Sequence, residues 1–503
     1  MNEELDTRLQ AICELSLPYV RDSAGRHEYD GRVQDLSPAG VRSALAGLTA
    51  DLGYVDRHDE AHAAATENAL RVRFGELELH RVNPLWHLDN LELMVYERPY
   101  APAEERAEAR RRHLAAWPDA VDAAVEALDR VPRELASASV PLARGLATYA
   151  GRDAAAGAAL KRLVDHLDWA SIQGDSSAAL GRSALERLLS ASEAIDVDLA
   201  DLLARAEKEQ ARLRQLLDDA CRRIDPDATT GETLRVLRTD HPATGAELLD
   251  ETRLLVDEVL EWTARSGLVP VDDGVCEVGP MPDSQRRGLA GLFAAAPYEP
   301  DGPSAFYVTL PDPSWAESEQ RAWLASGFNR SQLPGVAVHE VAPGHFSHFR
   351  ALRQLPSPVR RLLTSDAFIE GWAHYVEELC VEEGYRADDP RFTAGVARDG
   401  LLRVTRLICS IGLHTGDLTV AEAARRFTED AFVVGPGAVS EAQRGLFDPT
   451  YGRYTWGKLE ILGLRDRARA AWGVGFSLPR FHAALFALGA PPMGLIDTAL
   501  TEG

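Results

Sequence analysis

The chain has 503 residues, 26% of them charged and 45% apolar, enough for a large core in a helix-favouring composition rich in Ala, Leu, Arg and Glu. A formal charge of −24 argues against a nucleic-acid binder, which normally shows a basic face. No run of eighteen apolar residues occurs, the acidic start Met1–Asp6 has no apolar stretch behind it, and Cys13, Cys221, Cys276, Cys380 and Cys409 form no CxxC pair, so the expectation is a cytoplasmic protein without membrane span, disulfide scaffold or cysteine metal site.

Residues 1–267 read as an N-terminal helical lobe. Ser37 as a cap and Pro38 in the first turn open a helix predicted to reach Leu52. A second helix is predicted over Ala103–Val131, kinked or split at Trp117-Pro118, with Arg110-Arg111-Arg112 on a solvated face. Val197–Ile224 is a long amphipathic helix. Thr244-Gly245-Ala246-Glu247 is a capping box for a helix carrying Leu248, Leu255, Val259 and Trp262, and Gly267 ends it.

Between residues 268 and 335 proline and glycine become frequent and two β-like runs appear, 274–278 and 305–310. They predict a small ribbon or sheet, either offering an edge strand to extended substrate or simply packed on helices. From Leu333 the pattern is helical again, so residues 268–503 form a second lobe. The loop Val434–Ala438 lacks the Lys-Ser/Thr ending of a phosphate loop.

Four of the fourteen histidines fall between residues 339 and 374. His339-Glu340-Val341-Ala342-Pro343-Gly344-His345 is followed by His348 and then by Glu370-Gly371-Trp372-Ala373-His374. Two imidazoles and a carboxylate, His339, His345 and Glu370, make the three-donor set of a catalytic zinc, and Glu340 is placed as its base. Manganese or cobalt also fits such a set. The spacing differs from the usual four residues, and histidines satisfying buried polar groups are the competing reading. On a regular helix, at ~100° per residue, His345 lies about 120° and His348 about 180° from His339. A bulge at Pro343-Gly344 that absorbs two residues returns His345 to about 40° and leaves His348 as a neighbour.

HExxPGH followed by EGWAxYxE resembles the bacterial domain-of-unknown-function family 885, which is similar in turn to the thimet-oligopeptidase and Taq-carboxypeptidase families of zinc metallopeptidases. Further resemblance lies in Pro297-Tyr298, Gly302–Val308, Arg406, Gly412-Leu413-His414, Tyr454–Ile461, Leu464-Arg465, and Phe481-His482 before Gly489-Ala490-Pro491-Pro492. It implies a mainly α fold with a deep substrate channel and a small sheet near the active site. His348 and His374 depart from the family motif, which carries glutamine and an apolar residue there.

The resemblance implies one zinc per chain and Tyr454 as an oxyanion donor opposite the metal. His348, His374, His414, Tyr307 and Arg465 are candidates for substrate contact or for orienting a ligand. A salt bridge on a helix is the competing role for Arg465 and Lys458. The expected activity is hydrolysis of short peptides by metal-activated water. Two alternatives are an amide hydrolase acting on a small metabolite, motivated by His348 and His374, and a binding protein without catalysis.

Overall fold

Several helices start at polar caps that the sequence supplies. The computed structural model describes residues 4–48, 53–151, 153–175, 177–270, 274–282, 288–299 and 302–502. Ser37 Oγ accepts the Gly40 N–H at 3.0 Å and opens the helix Pro38–Gly47. That helix stops short of the expected Leu52 because Leu48 already has non-helical angles, and residues 49–52 lie outside the described residues. Asp56 caps α1 (Arg57–Leu70), which runs into a single π-helical turn, Arg71–Glu76.

The helix α2 (Ala103–Ala127) passes through Pro118 without the expected split. A proline there removes one backbone donor, while Trp117, Ala120, Val121 and Ala124 bury both halves in the same core. The helix α3 (Leu199–Ile224) starts behind Asp198. In α4 (Gly245–Ser266) Thr244 accepts the Glu247 N–H at 3.1 Å, but Glu247 reaches back to the Ala243 N–H at 2.8 Å, one residue before the cap. Gly267, at φ +61°, closes it.

The sheet has three strands: β1 (Cys276–Pro280), β2 (Ala290–Phe293) and β3 (Ser304–Val308). β3 is central, parallel to β1 and antiparallel to β2, with Leu292 opposite Phe306. The two expected strands are present, displaced by one or two residues. β2 went unseen because Ala-Gly-Leu-Phe has no β-branched residue and a glycine inside it.

Seven further helices build the rest of the centre and its surroundings: α5 (Leu333–Glu340), α6 (His345–Arg353), α7 (Asp366–Glu382), α8 (Pro390–Thr415), α9 (Gly437–Phe447), α10 (Arg453–Trp472) and α11 (Leu478–Ala487). One core joins Leu213 and Leu217 of α3 to Leu401 and Val404 of α8. A second packs Phe306, Val338, Phe368, Trp372 and Phe486 between the sheet and α5, α7 and α11. A third joins Leu9 and Phe74 to Val359 and Leu362. Packing therefore crosses the expected boundary at 267/268, and the fold is mainly α. Among the described residues no helix is long and apolar enough to cross a membrane.

Candidate metal centre

His339 and Glu340 occupy the last turn of α5, and His345 opens α6. The expected single helix with a two-residue bulge is instead two helices. Residues 341–344 leave helical geometry altogether, starting with Val341 at φ −109°, ψ −90°. Pro343 has no N–H to continue a helix. Gly344 donates to Val338 O at 3.1 Å, and a Cβ at this position would overlap the carbonyl oxygens of Val338 and His339. The Trp372 indole N–H bonds Pro343 O at 3.0 Å and ties the jog to α7. The two imidazoles end with ring centroids 4.7 Å apart and planes 84° to one another.

Ser365 caps α7, whose second turn presents Glu370 to both rings. Glu370 Oε2 lies 3.4 Å from His339 Nε2 and 3.4 Å from His345 Nε2. Two donors each about 2.05 Å from a tetrahedral zinc stand roughly 3.4 Å apart, so these spacings fit the ion. Glu370 Oε2 is buried without a hydrogen-bond partner, as a donor reserved for a metal would be. Among the described residues these three form the one cluster of metal-ligating groups with converging donors.

A carboxylate stands behind His339. Its Nδ1 lies 2.6 Å from Glu377 Oε1, and Glu377 is held in turn by Arg403 at 2.9 Å. This arrangement turns Nε2 towards the cluster, as outer partners of metal-bound histidines do. Burial opposes charge on Glu377, but Arg403, His339 and His374 keep its pKa far below the usual carboxylate range. Burial and Arg403 also oppose charge on His339, yet the neighbouring carboxylates of Glu370 and Glu377 raise its pKa to about 9.

The metal-free His339 thus carries a proton at neutral pH, and a metal must displace it. Zinc affinity should therefore rise with pH, roughly tenfold per unit up to about pH 9, and fall as the solution is acidified. Competition with a chelator of known affinity between pH 6 and 9 measures this; a flat profile contradicts it.

Glu340 Oε2 accepts the Leu292 N–H of β2 at 2.8 Å. Leu289 pairs with Thr309, whose N–H donates to Leu289 O at 2.7 Å, so the alternation of an antiparallel ladder turns the polar groups of Ala290 and Leu292 to the free edge. That edge adjoins Glu340. On the other side, α7 and α10 touch at Gly371 and Gly457: a Cβ on Gly371 would sit 2.6 Å from Gly457 Cα. The contact carries Tyr454, one turn before Gly457, to the side of Glu370. Burial, then the Glu370 carboxylate, raises the Tyr454 pKa above that of a free phenol. Its ring lies under Arg406, 5.2 Å from the centroid, and its hydroxyl makes no hydrogen bond among the described residues.

The other candidates have structural partners. His348, expected beside the metal in contact with ligand or substrate, is fully buried among Phe349, Phe368 and Phe486 and bonds Gly489 O at 3.1 Å. Burial pushes its pKa to about 4, so the neutral ring donates Nε2–H to that carbonyl. His374 shares Glu377, with Nδ1 3.4 Å from Oε2, and so acts one step behind His339. His414 bonds Gly445 O of α9 at 3.0 Å. Arg465 pairs with Glu382 at 2.8 Å, and buried Lys458 with Glu209 at 2.9 Å and Glu378 at 3.1 Å. Tyr307 lies edge-on to Phe293 on the sheet, with ring centroids 5.1 Å apart. Sequence reasoning missed Glu377 and Arg403. The signal for Glu377 was its place two turns after Glu370 on one face of α7, at the end of EGWAxYxE.

The model of a bacterial protein family of unknown function, DUF885, matches residues 18–500. A solved structure of a "putative lipoprotein of unknown function" from Shewanella oneidensis is 19% identical, with 98% of each chain covered and a TM-score of 0.79. A "putative lipoprotein" from Colwellia psychrerythraea is 15% identical, covers 98% of this chain and 96% of its own, and has a TM-score of 0.80. Both share the fold. No curated protein matches the chain.

Proposed function

The chain belongs to the bacterial DUF885 family, and from that premise we propose that it is a zinc-dependent hydrolase cleaving amide bonds of short peptides. One observation carries the reading: His339, His345 and Glu370 converge, with Glu370 at tetrahedral spacing from both imidazoles, and the adjoining Glu340 is left out of the donor set. Zinc held there would supply a water of pKa near ~7 and polarise a carbonyl.

Glu340 takes the proton from the attacking water and passes it to the leaving amine. The Leu292 N–H fixes the carboxylate for that task. Tyr454, with its hydroxyl uncommitted, donates to the oxygen on which negative charge develops. The free edge of β2 aligns an extended substrate backbone beside Glu340. Glu377, Arg403 and His374 hold His339 in its ligating orientation.

His348 and His374 motivated the small-metabolite alternative. Both are buried and engaged, so neither favours a metabolite over a peptide. The purified chain should contain about one zinc and hydrolyse members of a short-peptide library, with activity removed by a chelator and restored by zinc. Elemental analysis and mass spectrometry of the digest check this. A metal-free preparation that binds no added zinc refutes the reading.

A further inference from the structure

The π-helical turn Arg71–Glu76 holds Arg73 between two buried anchors, Val72 and Phe74. Irregular turns of this kind recur at functional sites. Arg73 is partly buried, and its guanidinium lies over the Trp86 ring at 5.1 Å from the centroid. Among the described residues it makes no hydrogen bond and no ion pair. A guanidinium stays charged under all ordinary conditions, so a half-buried cation whose nitrogens reach solvent is left without a protein anion.

The charges that reach Arg73 are Asp366, Asp448, Glu193 and Arg453. Each of the acids already has a partner. Arg453 binds Asp448 and stands 3.5 Å from Asp366. Glu193 accepts Ser365 Oγ at 2.7 Å and the Met493 N–H at 3.1 Å. Burial accordingly pulls the Arg73 pKa below the usual arginine value despite those carboxylates.

This region borders the metal centre. Asp366 precedes Glu370 by one turn of α7, about 6 Å along the axis. Arg453 precedes Tyr454 and feels the Glu370 carboxylate. The helix Arg182–Glu193 packs on the turn Arg71–Glu76, and its last residue, Glu193, accepts the hydroxyl of Ser365, the cap of α7, so Arg73 lies towards the N-terminal end of the helix that carries Glu370. A planar guanidinium with free donors matches a carboxylate, which can accept two parallel hydrogen bonds.

We propose that Arg73 holds the C-terminal carboxylate of a peptide substrate, so that peptides with a free C-terminus are the substrate class of this centre and cleavage falls near that end. The inference rests on the hydrolase reading for the position of the cleaved bond.

The test compares acetyl-tetra-alanine bearing a free carboxylate with its C-terminal amide, using the full zinc-loaded chain. Calorimetric binding and kcat/KM are both measured. The wild-type protein should favour the acid by about 10- to 100-fold, the scale of a charge-assisted hydrogen bond. In Arg73→Gln that ratio should fall towards one, the loss residing in KM, with zinc content and Tm retained. Arg73→Lys, which keeps the charge but not the planar fork, should restore only part of it. A variant that discriminates as wild type does, or a wild-type protein that binds both forms alike or neither, overturns the assignment. Absence of cleavage alongside the expected binding preference would remove the hydrolase reading and leave Arg73 as a carboxylate site.

Discussion

Glu340→Gln is expected to lower kcat by at least ~100-fold while zinc content and fold are retained. The substitution preserves size and the oxygen that accepts the Leu292 N–H, so β2 keeps its anchor. It removes the ability to take a proton. The three donors do not include Glu340, so the metal site keeps its full complement. General-base catalysis contributes about 10²–10⁴-fold, well above the few-fold change expected from a small shift in packing. Steady-state kinetics with zinc quantified on the same sample distinguish the two; activity near wild type would take Glu340 out of the base role.

The second large effect separates two histidines three residues apart. His345→Ala removes one of three donors, and the zinc affinity should fall by more than the ~10–100-fold that loss of an outer partner costs. His348→Gln should keep zinc, because the ring it replaces faces three phenylalanines and Gly489 O. Its cost should appear in stability, about 1–3 kcal/mol for a disturbed buried hydrogen bond. Metal titration with thermal melts on both variants reads the two effects apart. Zinc retained by His345→Ala and lost by His348→Gln would reverse the ligand assignment.

The donors were legible because chemistry restricts them to a few residue types at close spacing, and His339, His345 and Glu370 do converge. The path between them was legible only in part. Pro343 and Gly344 announced that a regular helix could not continue, but a bulge and a complete break have the same sequence signature. What decides between them is tertiary: the Trp372 indole bonds Pro343 O from another helix. His348 and His374 illustrate the opposite limit. Proximity in sequence to a metal motif does not say which side of a helix faces it, and burial turned both rings inward. Arg465 and His414 were drawn in by resemblance alone and serve as internal ties. β2 was hidden by its composition, since its pairing with β3 supplies the order that its own residues do not favour. The expected boundary at 267/268 marked a change in local texture, whereas the cores follow long-range contacts such as those between α3 and α8.

The approach of Gly371 to Gly457 makes the distance from metal donor to phenol a consequence of two absent side chains. A methyl group on Gly457 would overlap Ala367 O before any reacting group is disturbed. Recognition of functional relatives therefore cannot stop at histidines and carboxylates. A homologous chain with every polar residue intact but bulk at either glycine would hold its phenol away from the Glu370 carboxylate.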